Sequence, residues 1–168
     1  MAVVSPITRD LAIDGWGLAG AGVLGVIAAS VVVHGGAGRT IIPFIIVAFV
    51  FGLAQVVVSG GWLRNAVDSA PPAPADLLME PDGTTLRRAG LPTLLALVLV
   101  VIALFVWVQF AALLAGLAFA AGMTDLRSRQ WVAAFERSNA VVILRETSWL
   151  PFATARKPLW SRPAGDRP

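Results

Sequence analysis

The longest apolar stretch of the chain runs from Leu91 to Met123 and reads LPTLLALVLVVIALFVWVQFAALLAGLAFAAGM. It holds no charged side chain, and Thr93 and Gln109 are its polar interruptions. A helix needs roughly 20 consecutive apolar residues to cross the ~30 Å hydrocarbon core of a bilayer. We therefore predict that this stretch lies in a membrane, as do Trp16 to Val33 and Ile41 to Trp62.

The composition of the whole chain supports this prediction. Of its 168 residues, 57% are hydrophobic and 14% are charged, and the mean hydropathy is +0.79. These values are not those of a soluble domain, and the polar stretches are too short to build a separate core. We expect a membrane domain over 1–123 and an interfacial helix and tail over 124–168. The chain has no cysteine, which excludes disulfides, thiolate metal sites and cysteine nucleophiles.

The stretch from Leu91 to Met123 fits either one span or two. As a single helix it would be about 50 Å long, which requires more tilt than the ~40° at the upper end of the usual range. As a hairpin it provides about fifteen apolar residues per leg, fewer than the usual ~17–25, unless each leg extends into its polar flank. Length alone leaves both interpretations open.

The distribution of arginines favours two spans in this stretch and four in the chain, because arginines near span ends stay in the cytoplasm. With four spans and both termini inside, only Arg39 lies outside. The seven inside are Arg9, Arg64, Arg87, Arg88, Arg127, Arg129 and Arg137. A topology with three spans would place four of these arginines inside and four outside.

We therefore predict an all-α membrane protein with four transmembrane helices in two hairpins, the second turning near Phe105 to Phe110. The spans are expected at about 14–33, 41–62, 88–106 and 108–125. Three spans with one long helix are the alternative. The Pro- and Gly-rich loop 64–87 should hold little regular structure. An amphipathic helix and tail should follow in the cytoplasm, where the helix either continues the last span or lies along the membrane. The expected location is a bacterial inner (plasma) membrane, with both termini cytoplasmic.

Small residues recur at helical spacing in two of the predicted spans. They are Gly17, Ala21, Gly25 and Ala29 in the first span and Ala112, Gly116 and Ala120 in the last. Such faces let helix backbones approach closely, so we predict helix-packing surfaces, used either within the chain or with another subunit. Gln55 is the one clearly intramembrane polar side chain, and we expect it to form an interhelical hydrogen bond.

The C-terminal segment from Trp149 to Trp160 reads WLPFATARKPLW and interleaves aromatic rings with cations. This composition suits the headgroup layer, with rings at the interface and cations on anionic phosphates. A tail that docks on a partner subunit is the alternative. The predicted contact residues are Trp149, Phe152, Arg156, Lys157 and Trp160.

The motifs that resemble chemistry do not support a catalytic, cofactor or metal site. Residues 15–20 match the dinucleotide-binding pattern G-x-G-x-x-G, but a membrane span follows, and no acidic residue occurs between Asp14 and Asp68. His34 is the only histidine, so this chain cannot supply a histidine metal cluster or two haem ligands. Asp14 is expected to cap the start of the first span.

We therefore expect a non-catalytic accessory or structural subunit of a larger bacterial inner-membrane complex, of respiratory or transport type. It would dock on other membrane protein subunits through the small-residue faces and the tail. It would contact the lipid bilayer and no nucleic acid. A small homo-oligomeric pore or transporter, with Gln55 lining the path, is the alternative. A third hypothesis is a membrane enzyme with an interfacial site built from Asp10, Asp14, Arg64 or Asp125.

Overall fold

The computed structural model describes residues 2–33, 36–147 and 157–165. The protein is mainly helical (74%), and four of its helical segments are long and apolar enough to cross a membrane. The prediction of a helical, multi-pass membrane protein is thereby confirmed. The helices are α1 (Ile7–Val32), α2 (Gly38–Asp68), α3 (Asp82–Ala89), α4 (Leu91–Val106) and α5 (Val108–Asn139).

A single residue, Trp107, separates α4 from α5. Its backbone is extended, with φ −162° and ψ 112°. The Trp107 N–H donates to the carbonyl of Ala103 at 2.8 Å, and the Trp107 carbonyl accepts from the N–H of Ala111 at 3.1 Å. Ala103 and Ala111 are buried in one small cluster. The long apolar stretch is therefore two helices, and extended backbone forms the corner without glycine or proline.

Helix α5 is central to the bundle, because α1, α2 and α4 all pack against it. Glycines make two of these contacts close. A Cβ at Gly122 would lie 2.6 Å from the carbonyl oxygen of Gly15 in α1. A Cβ at Gly116 would lie 2.8 Å from the carbonyl oxygen of Phe44 in α2. At these two positions, only a residue without a side chain allows the observed approach of the helix backbones.

A small sheet joins segments that are far apart in the sequence. Its strands are β1 (Val3–Pro6), β2 (Leu78–Met79), β3 (Val141–Glu146) and β4 (Leu159–Pro163). The spatial order is β2-β1-β3-β4, in which β1 and β2 are parallel and the other pairs antiparallel. Because β1 leads into α1, β2 follows α2 and β3 follows α5, the start of α1 and the ends of α2 and α5 meet at one end of the bundle. This sheet is a difference from the predicted all-α fold.

A hydrophobic core lies between the sheet and the adjoining ends of α1, α2 and α5. It consists of Ile7, Leu11, Val67, Val132, Ile143 and Leu159. The strand residue Ile143 is fully buried, as is Val132 of α5. Burying an aliphatic side chain of this size contributes about 1.5–3 kcal/mol, so this core holds the sheet against the helices.

The predicted loop 64–87 contains more regular structure than expected. Helix α2 continues to Asp68, β2 occupies two residues, and α3 begins at Asp82. Polar residues such as Arg64 and Asn65 extend the helix beyond its apolar part. Hydropathy marks where a span leaves the bilayer, whereas the helix ends where its backbone hydrogen bonding stops.

The C-terminal region also differs from the prediction. The expected interfacial helix is the continuation of α5 to Asn139, so the predicted domain boundary after residue 123 falls inside a helix. Ala140 takes up the left-handed conformation with φ 51° and ends the helix. The chain then forms β3 with the sequence VVILRE, whose first three residues are β-branched and favour a strand.

Candidate functional site

A cluster of charged and polar side chains is buried where β1, β3 and α1 meet residues 78–89, which contain β2 and α3 and are called the α3 segment below. Its members are Ser5, Asp10, Glu80, Arg88 and Arg145. Asp10 is 0% exposed, and the other four are also buried. We refer to these five residues as the buried ion cluster. It holds two carboxylates and two guanidinium groups, so their formal charges cancel.

Asp10 is the centre of the buried ion cluster. Its Oδ1 accepts a hydrogen bond from Nη2 of Arg88 at 2.8 Å. Its Oδ2 accepts from Nη2 of Arg145 at 2.9 Å and from Oγ of Ser5 at 2.9 Å. Asp10 lies in the first turn of α1, where the helix dipole also favours a negative charge. Both oxygens of this carboxylate are therefore occupied.

Arg88 connects Asp10 to the segment that contains β2 and α3. Its Nε donates to Oε1 of Glu80 at 3.1 Å, and its Nη2 donates to Oε2 of Glu80 at 3.0 Å. Nη2 also lies 3.1 Å from Oγ of Ser5. Helix α3 brings Glu80, which precedes it, and Arg88, in its last turn, to the same place. The bidentate geometry is that of a strong arginine–carboxylate pair.

The buried ion cluster connects distant parts of the chain. Ions removed from water lose several kcal/mol of hydration each, which close pairing and hydrogen bonding offset. Here the pairing joins residues 5–10, residues 80–88 and Arg145. The carboxylates and guanidinium groups of the cluster form ion pairs with one another, so the cluster holds the start of α1 against β3 and the α3 segment.

Asp14 and Asp125 lie beside this cluster. Asp14 is one helical turn after Asp10 on α1, and Gly15 packs against Leu126 of α5, which places Asp14 and Asp125 on adjoining helices at one depth. The prediction that Asp14 caps the first helix is wrong, because α1 begins at Ile7. Among the described residues, Oδ1 of Asp14 and Nε of Arg145 are buried without a hydrogen-bond partner.

A second polar surface, which we call the basic pocket, lies between α2 and α5. It is a cavity of about 240 Å³, lined by Val56, Gly61, Leu63, Arg64, Thr124, Arg127, Ser128 and Trp131. The guanidinium carbon of Arg64 is 5.7 Å from the ring centroid of Trp131, a cation–π distance. Within the described residues neither Arg64 nor Arg127 takes part in an ion pair.

The small-residue face predicted on α1 packs inside the chain. A side chain at Gly17 would collide with Thr93 of α4. A Cβ at Gly25 would lie 3.0 Å from both Val100 of α4 and Ala115 of α5. Ala21 and Ala29 complete this face, and both are buried. Because α4 and α5 cover it, this face is not open to a partner subunit.

The face formed by Ala112, Gly116 and Ala120 on α5 is also covered within the chain. Gly116 lies against the backbone of Phe44, and a Cβ at Gly52 would lie 3.8 Å from Ala120, so α2 covers this face. The expectation that small-residue faces dock a partner therefore needs correction. The close contacts that these residues allow are made by α1, α2 and α4 themselves.

Part of the predicted tail surface lies in the sheet. Trp160 is half-buried in β4, opposite Leu144 of β3. Nζ of Lys157 donates to Oε1 of Glu146 at 3.1 Å. Trp149, Phe152 and Arg156 lie outside the described residues, as does His34.

Helix α2 is the membrane-length helix whose apolar part is least buried within the described chain. None of the residues in its most apolar 18-residue window is buried inside the chain. We refer to the following exposed side chains as the α2 face: Ile42, Ile45, Ile46, Phe49, Val50, Leu53, Val57 and Val58. Gln55 lies half-buried on the same helix.

Sequence reasoning missed most of the buried ion cluster. From sequence, Asp10 is a candidate only in the hypothesis of a membrane enzyme, and Arg88 only contributes to the predicted cytoplasmic charge. Ser5, Glu80 and Arg145 were not singled out. A weak signal exists at Arg145, a cation within the apolar strand sequence VVILRE. Glu80 and Ser5 carry no local signal that identifies Arg88 as a common partner, because Arg88 lies 8 and 83 residues away from them along the chain.

The described residues contain no group of three or more His, Cys, Asp or Glu side chains that could hold a metal ion. The polar residues at the sheet end instead form two arrangements, the buried ion cluster and the basic pocket. Neither a protein family, nor a curated protein, nor a solved structure matches this chain.

Proposed function

We propose that this chain is a non-catalytic accessory or structural subunit of a larger bacterial inner-membrane complex. The observation that carries the proposal is a contrast between polar and apolar surfaces. Asp10 and Glu80 are held by buried arginines, so neither is a free general base or nucleophile. The α2 face, in contrast, is apolar and uncovered. The charged residues of the buried ion cluster stabilise the fold, and the α2 face suits association within the membrane.

The proposed topology has four spans in two hairpins, with both termini and the sheet in the cytoplasm. The sheet supports an even number of crossings, because it contains strands from before α1, from after α2 and from after α5. Arg39 lies at the opposite end of the bundle, between α1 and α2. The remaining arginines near span ends lie towards the sheet, which is the distribution expected of a cytoplasmic end.

The proposed docking surface is the α2 face, in place of the small-residue faces on α1 and α5. Helices associate in membranes through close van der Waals packing and interhelical hydrogen bonds. Phe49 is 70% exposed and Val57 is 74% exposed, so both are free to pack against another membrane helix. The proposed partners are therefore other membrane protein subunits that place a helix along α2.

Quantitative mass spectrometry of the tagged protein, purified from its own cells in mild detergent, tests this proposal. We expect a fixed stoichiometry of larger membrane subunits. Replacing Phe49 by Ala should lower their recovery about fivefold or more, as for an interface residue worth over ~1 kcal/mol. The matched control is Phe105→Ala in α4, because Phe105 is 88% exposed and lies outside the α2 face. Recovery of this chain alone would contradict the proposal.

A homo-oligomeric pore or transporter is the second candidate, and it would use the polar side chain of Gln55. Gln55 is a polar side chain on the helix that the chain covers least. In such an assembly the half-buried Gln55 would line the path. Ion flux into liposomes that contain only this protein, lost in Gln55→Leu, would support the pore. An accessory subunit should give no flux.

A further inference from the structure

We propose that the basic pocket binds the phosphate of an anionic phospholipid headgroup, with Arg64 and Arg127 as the two cationic contacts. Such binding does not depend on the proposed subunit role, whereas the cytoplasmic location of the pocket rests on the proposed topology. Three observations support the inference: the cavity lies where two apolar helical runs end, its lining has an apolar and a basic part, and among the described residues neither arginine is in an ion pair.

The depth of the cavity follows from the apolar runs of the two helices. Arg64 comes two residues after the run that ends at Trp62, and Arg127 comes four residues after the run that ends at Met123. Both arginines line one cavity, so the two runs end at the same level. That level is the headgroup layer, where lipid phosphates lie.

The lining of the cavity suits the region where a headgroup meets its acyl chains. Val56 and Leu63 provide apolar surface, whereas Arg64, Arg127 and Ser128 provide cationic and hydroxyl groups. A small water-soluble anion would gain no binding energy from the apolar part of the lining. A phospholipid uses both parts, because its phosphate binds the cations while its glycerol and upper acyl carbons lie against the aliphatic side chains.

The groups that would contact the phosphate are available. Arginine is the side chain best suited to phosphate, because its planar fork donates two parallel hydrogen bonds. The guanidinium group of Arg64 lies within cation–π distance of the Trp131 ring. Oγ1 of Thr124 already donates to the carbonyl of Ala120, so Ser128 is the hydroxyl that remains for the ligand.

Two acidic residues lie near the basic pocket without neutralising it. Asp68 is one turn after Arg64 on α2 and is exposed, and Asp125 is on α5 beside the buried ion cluster. Within the described part of the chain, neither forms an ion pair with Arg64 or Arg127. The pocket therefore keeps a local positive charge, and basic pockets between helices on the cytoplasmic side of a membrane favour anionic headgroups.

Native mass spectrometry of the purified full chain tests the inference. The protein is titrated in detergent with phosphatidylglycerol and, separately, with phosphatidylcholine. We expect a lower dissociation constant for phosphatidylglycerol. Arg64→Gln and Arg127→Gln should each raise that constant about fivefold, the change that corresponds to one cation lost near an anionic surface. Arg129→Gln is the matched control, because Arg129 is an exposed cation of α5 that does not line the cavity.

Three results would overturn the inference. The first is equal binding of the two lipids. The second is an equal effect of Arg129→Gln and Arg127→Gln, which would show attraction to the surface charge in general. The third is displacement of phosphatidylglycerol by millimolar inorganic phosphate with the same arginine dependence, which would show a site for a free anion. Circular dichroism of each variant checks that it folds, and Arg127→Lys provides a second, charge-conserving substitution with an expected intermediate affinity.

Discussion

The buried ion cluster and the basic pocket lie at the same end of the molecule, and each contains two arginines. Arg88 and Arg145 are buried and bound to carboxylates. Arg64 and Arg127 line an open cavity without such partners among the described residues. The two arginine pairs differ because the tertiary fold places carboxylates against Arg88 and Arg145. The tertiary fold therefore decides whether an arginine at this end of the molecule is paired with a buried acid or faces an open cavity.

The largest effect is expected when the central acid of the buried ion cluster is neutralised. Asp10→Asn leaves two buried arginines with too few negative charges, so it should lower the free energy of unfolding by about 3–5 kcal/mol. Unfolding in mixed detergent and dodecyl sulfate micelles measures this change. The matched control is Asp82→Asn, since Asp82 pairs with Arg9 and its side chain is 89% exposed. An exposed pair of this kind is worth about 0–1 kcal/mol. Equal losses in the two variants would contradict the structural role of the cluster.

A smaller loss of stability is expected when the contact between α1 and α5 beneath the cluster is widened. In Gly122→Ala the new Cβ meets backbone atoms of Gly15 and Ala19, so α1 and α5 must separate. Overpacking of this kind costs about 1–3 kcal/mol, and the same unfolding assay measures it. Gly20→Ala is the control, because a Cβ there meets nothing within 4 Å. Its effect should be neutral or stabilising by up to about 1 kcal/mol, since alanine favours helices more than glycine does.

The smallest effect on stability is expected in the basic pocket. Arg64→Gln removes one exposed cation–π contact, so it should lower the free energy of unfolding by no more than about 1 kcal/mol. The comparison is with Arg88→Gln, for which breaking the buried pairs should cost about 3–5 kcal/mol. If the two variants lost equal stability, the basic pocket would be a structural site like the buried ion cluster, and the contrast between the two would fail.

The helical membrane character of this protein follows from sequence-local properties. The apolar run from Leu91 to Met123 must leave water, and a helix is the structure in which such a run satisfies its own backbone hydrogen bonds. The corner near Trp107 was expected from the distribution of arginines along the chain, although its immediate sequence contains no turn-forming residue. The small residues of α1 and α5 were also recognised as packing faces, because their spacing alone places them on one side of a helix.

The sheet and the buried ion cluster could not be predicted in the same way. Strand β1 has four residues and β2 has two, which is too short for a periodic pattern. Arg145 is 135 residues from Asp10, and Arg88 is 78 residues from it. Nothing in the sequence near any of these residues indicates its partner. For the same reason, the sequence does not indicate which helix covers each small-residue face.

Membrane insertion and helix formation therefore depend on hydropathy and spacing within some twenty neighbouring residues, and the sequence specifies both. The pairing of charges depends on which distant segments meet, and this became visible only in the folded chain. The physical reason is that burial of an ion is favourable only when its counter-ion is buried beside it. The fold places Asp10 between Arg88 and Arg145, and it leaves Arg64 and Arg127 facing an open cavity.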